Sequence, residues 1–266
     1  MNISAIMGFG AGSGPVNTQE FTSSGTFNVP SGIKLVNILL VGGGGGGCSS
    51  AGGGGGGGEI VFANIFLGNT SSVSVTIGAG GLKSALYDAD DATNGGDSTF
   101  GDFFTANGGD RGRRIRSSYG YYGGYGGGSL MTVYDDTMSG DYRQINNRGP
   151  GGGFNDVVLS GYPGLTINAP MFSSIGGSGG GEGYYSGYNA YDGGVSPFAS
   201  GGTGGGSNGG GGGGASWGAG GNGGTGSGIN GVSAVANSGG GGGGGGTNTG
   251  YGGDGGSGYC LVMWNA

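Results

Sequence analysis

Histidine is absent from the 266 residues, cysteine occurs twice, and only 9% of the chain is charged. Without histidine no Ser-His-Asp or Cys-His arrangement can form, and the commonest general base is missing. Two cysteines and no histidine cannot build a usual zinc site. Nor do Cys48 and Cys260 make a disulfide framework; they read as small buried apolar side chains. No Gly-Lys pair occurs, which removes the P-loop lysine. With eight Lys and Arg and a net charge of −7, the chain lacks the basic density that nucleic acid demands. Membrane insertion is not expected, since no apolar run approaches the ~20 residues of a span. Met1 to Phe9 has neither the basic start nor the apolar core of a signal peptide, which predicts synthesis in a cytoplasm.

What is abundant is glycine, with 84 residues against an average usage near ~7%. Disorder is the first explanation, and the placing of apolar residues speaks against it. Leu35 to Val41 is a continuous apolar run suited to a strand buried on both faces. Ser72 to Ile77 alternates as a half-buried strand should. Segments 60–67, 21–29 and 259–264 supply three more strands. No stretch has a helical period, and glycine every second or third residue would destabilise any helix.

Ordering a glycine costs roughly 0.5–1 kcal/mol more than ordering an alanine, or about 40–80 kcal/mol over all of them. That exceeds a domain's net stability. The missing side chains must therefore permit something else, and close packing of backbone on backbone is the best candidate. Extended glycine segments form three-residue-per-turn helices without internal hydrogen bonds, free to bond sideways. Collagen is excluded, because no Gly-X-Y register persists and prolines number six.

The expected fold is all-β/irregular and without α-helix. A small β-region, made of N-terminal strands and the C-terminal strand, carries a bundle of packed polyglycine II helices. Residues 19–105 with 255–266 form the β-region, and 106–254 the bundle with its loops. Residues 1–18 remain as an attachment segment, in which Ile3, Ile6, Met7 and Phe9 are apolar and outside any candidate strand.

Of the 14 tyrosines, 11 fall between Tyr119 and Tyr191. Tyrosine, serine, glycine and asparagine are the palette of antibody loops. The candidate anchors are Tyr119, Tyr121, Tyr122, Tyr184, Tyr185, Tyr188, Tyr191 and Trp217, with Arg114 from the basic cluster 110–116. Arginine beside tyrosine suits acidic groups on a partner. A lid of tyrosines stacked over the rod ends is the alternative. Asp88, Asp90 and Asp91 fit no established calcium loop. The chain reads as a non-enzyme that needs no metal or cofactor.

Two groups of motifs resemble known families. Phe21-Thr22-Ser23-Ser24-Gly25-Thr26-Phe27-Asn28-Val29-Pro30-Ser31-Gly32, followed by strand 35–41 and glycines 42–47, resembles the opening of a glycine-rich domain of phage tail proteins. Val73 to Gly81, Gly95 to Gly101 and Gly255 to Gly258 are similar to its later landmarks. Ile6-Met7-Gly8-Phe9 with Gly14-Pro15-Val16-Asn17 resembles the start of the distal adhesin of T-even-type long tail fibres. The second resemblance implies a virion protein at the fibre tip. Its N-terminal part would attach to a long tail fibre protein, and its loops would recognise a bacterial outer-membrane protein or surface saccharide. A structural extracellular fibre, an ice-binding polyglycine protein and a fibre-assembly chaperone remain as rivals.

Overall fold

The computed structural model describes residues 16–50, 52–85, 91–113 and 189–265, and the backbone of 166–168 and 172–174. Among them there is no helix. The strands are β1 (Val16–Phe21), β2 (Gly25–Asn28), β3 (Leu35–Val41), β4 (Ile60–Phe66), β5 (Ser72–Thr76), β6 (Ser98–Phe100), β7 (Phe104–Ala106), β8 (Thr166–Asn168), β9 (Phe172–Ser174) and β10 (Tyr259–Asn265). They form a six-stranded sheet, β1-β10-β3-β4-β9-β8, and a four-stranded sheet, β2-β5-β6-β7, with every pairing antiparallel.

The period of two in each strand explains how the layers assemble. On β3, Val36, Ile38 and Leu40 enter one core with Cys260 and Val262 of β10, and with Phe27, Val73, Val75 and Phe100 from the smaller sheet. Leu39 and Val41 point to the other face and join Ile60, Phe62, Leu261 and Met263. The apolar run 35–41 is therefore buried on both sides, as its composition predicts. β5 alternates exposed and buried residues throughout, also as expected.

Several expectations need correction. Segment 21–29 is not one strand: Phe21 ends β1, and β2 begins at Gly25 after the polar Thr22-Ser23-Ser24. Val16, Asn17 and Thr18, expected in the attachment segment, lie opposite Asn265, Trp264 and Met263 in the large sheet. β8 and β9, within 106–254, also belong to that sheet. Conversely, the glycine segments inside 42–58 bond into the bundle, so sheet and bundle interleave along the chain instead of following one another.

The glycine segments have a hydrogen-bond pattern of their own. Amides of Gly42, Gly45 and Cys48 donate to carbonyls of Glu59, Gly56 and Gly53 at 2.9, 2.9 and 3.0 Å. Those of Gly43 and Gly46 donate to Gly96 and Thr93, and those of Gly44 and Gly47 to Gly256 and Gly253. Successive amides thus face three different neighbours and return to the same one every third residue. Carbonyls of the same segment accept from 81–84, 109–112 and 242–245, again at intervals of three. Segment 42–48 is consequently surrounded by six others. Segment 239–247 has the same environment, bonded to 208–214, 45–48, 229–232, 221–224, 52–55 and 253–256. The sideways bonds of these segments therefore repeat with a period of three residues.

Such contact leaves no room for a side chain. A Cβ on Gly42, Gly43, Gly44, Gly45, Gly46 or Gly47 would run into a backbone carbonyl of a neighbouring segment in every case. Each sideways bond contributes about 0.5–1.5 kcal/mol net, the same order as the extra ordering cost of its glycine.

Both cysteines are buried, and the Ser84 hydroxyl donates to the Cys48 sulfur at 3.5 Å. Burial pushes the Cys260 thiol from its ordinary 9.0 up to about 12. The Tyr259 hydroxyl is raised too, first by burial and then by the negative charge of Glu20 on β1. Both groups are neutral in the fold, whereas the unfolded chain ionises them at their ordinary values. Their contribution to stability is therefore complete below about pH 9 and is lost as pH rises towards the folded values. Denaturation midpoints should be flat up to about pH 9 and fall beyond it; a midpoint unchanged between about pH 8 and about pH 11 would refute this.

Candidate binding site

The bundle has two unlike poles, and chain direction assigns each loop to one of them. Segment 42–48 leaves β3 and runs away from the sheets; 78–84, 107–112 and 239–247 bond to it in parallel and run the same way. Segments 52–59, 91–96 and 250–258 return, entering β4, β6 and β10. The far pole therefore holds the turns around 49–50, 207–208, 225–228 and 247–249. Ser50, Asn208 and Asn248 have φ of 54°, 62° and 64° there, a left-handed conformation that asparagine tolerates better than most residues.

The described ends of the tyrosine-rich part of the chain stand at this pole. Arg113 is exposed and follows Gly112, whose amide donates to Gly46. Asn189 bridges to Ser207 in the turn beside the rod ends. Just before Arg113, the foot of the basic cluster is fixed to the bundle. The Arg111 amide donates to Asn94 Oδ1 at 2.9 Å, and its guanidinium donates to the Ala92 carbonyl at 2.9 Å. Asn94 Nδ2 in turn donates to Asp110 at 3.1 Å. Arg111 thus supports the pole and is partly buried in doing so.

The proposed anchors divide by position. Arg114, Tyr119, Tyr121, Tyr122, Tyr184, Tyr185 and Tyr188 lie outside the described residues, as do Ile3, Ile6, Met7 and Phe9. Tyr191 is half-buried on segment 190–194, with its carbonyl accepting from Gly212. Trp217 is at the opposite pole, against the large sheet. Its ring lies 5.1 Å from that of Phe198 and 6.2 Å from that of Phe62, and it packs on the outer core with Leu39 and Met263. It belongs to the packing between sheet and bundle, and the structure does not bring it together with Tyr191. Asp91 accepts from the Ala85 amide at 3.1 Å, and no cluster of metal-ligating side chains occurs among the described residues.

One group of polar residues was not singled out by the sequence. Asp97, Asp192, Asn222, Asn230 and Ser233 each accept from a backbone amide on an adjacent segment, at 2.7–2.9 Å. They seal amides on the outside of the bundle, where an unpaired donor would otherwise depend on water. The signal is faint but present: in 229–237 the residues read Ile-Asn-Gly, Val-Ser-Ala, Val-Ala-Asn, a local repeat of three.

Two antiparallel sheets with a laterally bonded glycine bundle define the class, a glycine-rich all-β/irregular protein. The chain belongs to the glycine-rich domain family, whose model matches residues 20–265. Comparison with curated proteins gives no match.

Proposed function

We propose that this chain is a receptor-binding adhesin carried at the tip of a phage long tail fibre, where it acts without catalysis. Its bundle is formed by polyglycine II helices, and its tyrosine-rich segments recognise a bacterial outer-membrane protein or surface saccharide. The two-pole layout is the observation that carries this reading. β1 begins at Val16 opposite Asn265, at the end of the sheet remote from the bundle, and so the N-terminal segment starts from one pole. Arg113 and Asn189, the outer borders of the tyrosine-rich segments, stand at the other, while β8 and β9 between the two segments return to the large sheet. A particle that is held at one end and binds at the other needs that separation.

The test uses phage. Deleting residues 1–13 should leave the domain folded but absent from fibres. Exchanging 114–165 and 175–188 for those of a relative should leave incorporation intact and carry host range with them. Host range that stays with the sheets and rods after the exchange would overturn the proposal.

A further inference from the structure

A bundle of sideways-bonded rods meets the difficulty of an edge strand wherever it stops. Its outermost members present backbone groups that a further extended chain could bond. On several outer rods the outward amides are already taken: Asn222 holds that of Thr203, Asp192 that of Gly204, and Asn230 and Ser233 those of Tyr251 and Asp254.

Segment 229–235 differs. Gly231 and Ala234 donate to Tyr251 and Asp254, and Val232 donates to Asn222. The amides of Asn230 and Ser233 meet no neighbouring segment among the described residues. Among the described residues this rod is open on one side. Ile229, Val232 and Val235 are 50%, 54% and 74% exposed. Three residues apart on a three-residue helix, they make a ridge along it. Inside the bundle, a single Cβ on Gly243 would collide with the carbonyl of Asn222, and one on Gly44 with that of Gly240. Side chains branched at Cβ hold a new rod off more strongly still.

We propose that the Ile229–Val232–Val235 ridge terminates the glycine lattice, preventing a second copy of this chain from laying one of its own rods against the open amides. Attraction between apolar side chains would act in the opposite direction, so the two ideas make opposed predictions. The experiment compares wild type, I229A/V232A/V235A and I229G/V232G/V235G by sedimentation velocity over a range of concentrations. Amide exchange across 229–247 confirms that each protein is folded.

The glycine variant should self-associate with a constant about tenfold or more above wild type. The alanine variant should stay with the wild type, since one Cβ is enough to block the approach. If the triple glycine variant loses its exchange protection, V232G/V235G carries the same expectation. A folded glycine variant that sediments like wild type overturns the proposal. So does an alanine variant that associates as strongly as the glycine one, or a wild type that associates most of all.

Discussion

Replacing Gly44 by alanine should destabilise the protein by at least about 3 kcal/mol, beyond the usual effect of one added methyl in a core. Gly44 donates to Gly256, accepts from Gly81, and would place a Cβ against the Gly240 carbonyl. Nothing there can yield as a flexible side chain would, because the obstacle is backbone. The rods must separate, and the bonds on both sides lengthen together. In a chain of this size such a loss lowers Tm by roughly 6–12 °C.

Gly226→Ala is the control. No heavy atom lies within 4 Å of the added Cβ, and Gly226 is not among the residues with positive φ. It should be neutral or stabilising, by no more than about 1 kcal/mol. The sign of the Gly44 result is decisive, since alanine in an unstrained loop stabilises by about 0.4–1 kcal/mol through the unfolded state. Thermal melts of both variants are sufficient. A Gly44→Ala protein as stable as wild type would mean that the runs do not pack as described.

Alanine substitution across the proposed anchors should separate binding from support. At a true anchor in the tyrosine-rich segments, Tyr119, Tyr121, Tyr122, Tyr184, Tyr185, Tyr188 or Arg114, truncation should remove about 2 kcal/mol or more of receptor affinity, roughly a thirty-fold loss. The melting temperature should hardly move. Trp217→Ala should behave in the opposite way. Its ring packs with Phe62 and Phe198 beneath the sheet, so its removal should cost about 2–4 kcal/mol of stability and leave receptor affinity of the surviving folded protein unchanged. Tyr191 is half-buried and should show some of each. Adsorption to host cells and thermal stability, measured on one panel, give the answer. If the tyrosine variants all lose stability and adsorption only in proportion, the rings are a lid and the binding proposal fails.

The strands legible in the sequence are those that bury side chains in bulk. Leu35–Val41 and Ser72–Thr76 advertise their burial through runs or alternation, and the final strand does so through Tyr259 to Trp264. β1 was hidden because it is an edge strand, with polar residues from Asn17 to Glu20 and little burial before Phe21. β6 and β7 are three residues each, shorter than any window in which alternation can be recognised. The glycine runs announced that backbone would pack on backbone, but not which run would lie beside which. Glycine has no side chain to distinguish one neighbour from another, and 42–48 meets 250–256 across some two hundred residues of chain only through hydrogen bonds. Trp217 was misleading for a related reason. An aromatic residue between glycine runs reads as a displayed anchor, since the Phe62 and Phe198 that cover it are remote in sequence.

The return of each amide to the same neighbour at every third residue also limits how such a chain can change over time. Removing one residue from the middle of 239–247 would turn everything after it by roughly 120° about the rod axis. Donors that met 208–214 would then face 229–232, and the whole set of partnerships would be reassigned. Losing or gaining three residues restores the phase and only shortens or lengthens the rod. The turns at the far pole are under no such rule, because they close no repeat. Length variation among descendants of this sequence should therefore come in any number at the tips but in multiples of three along the rods, leaving the far pole free to diverge while the interior keeps count.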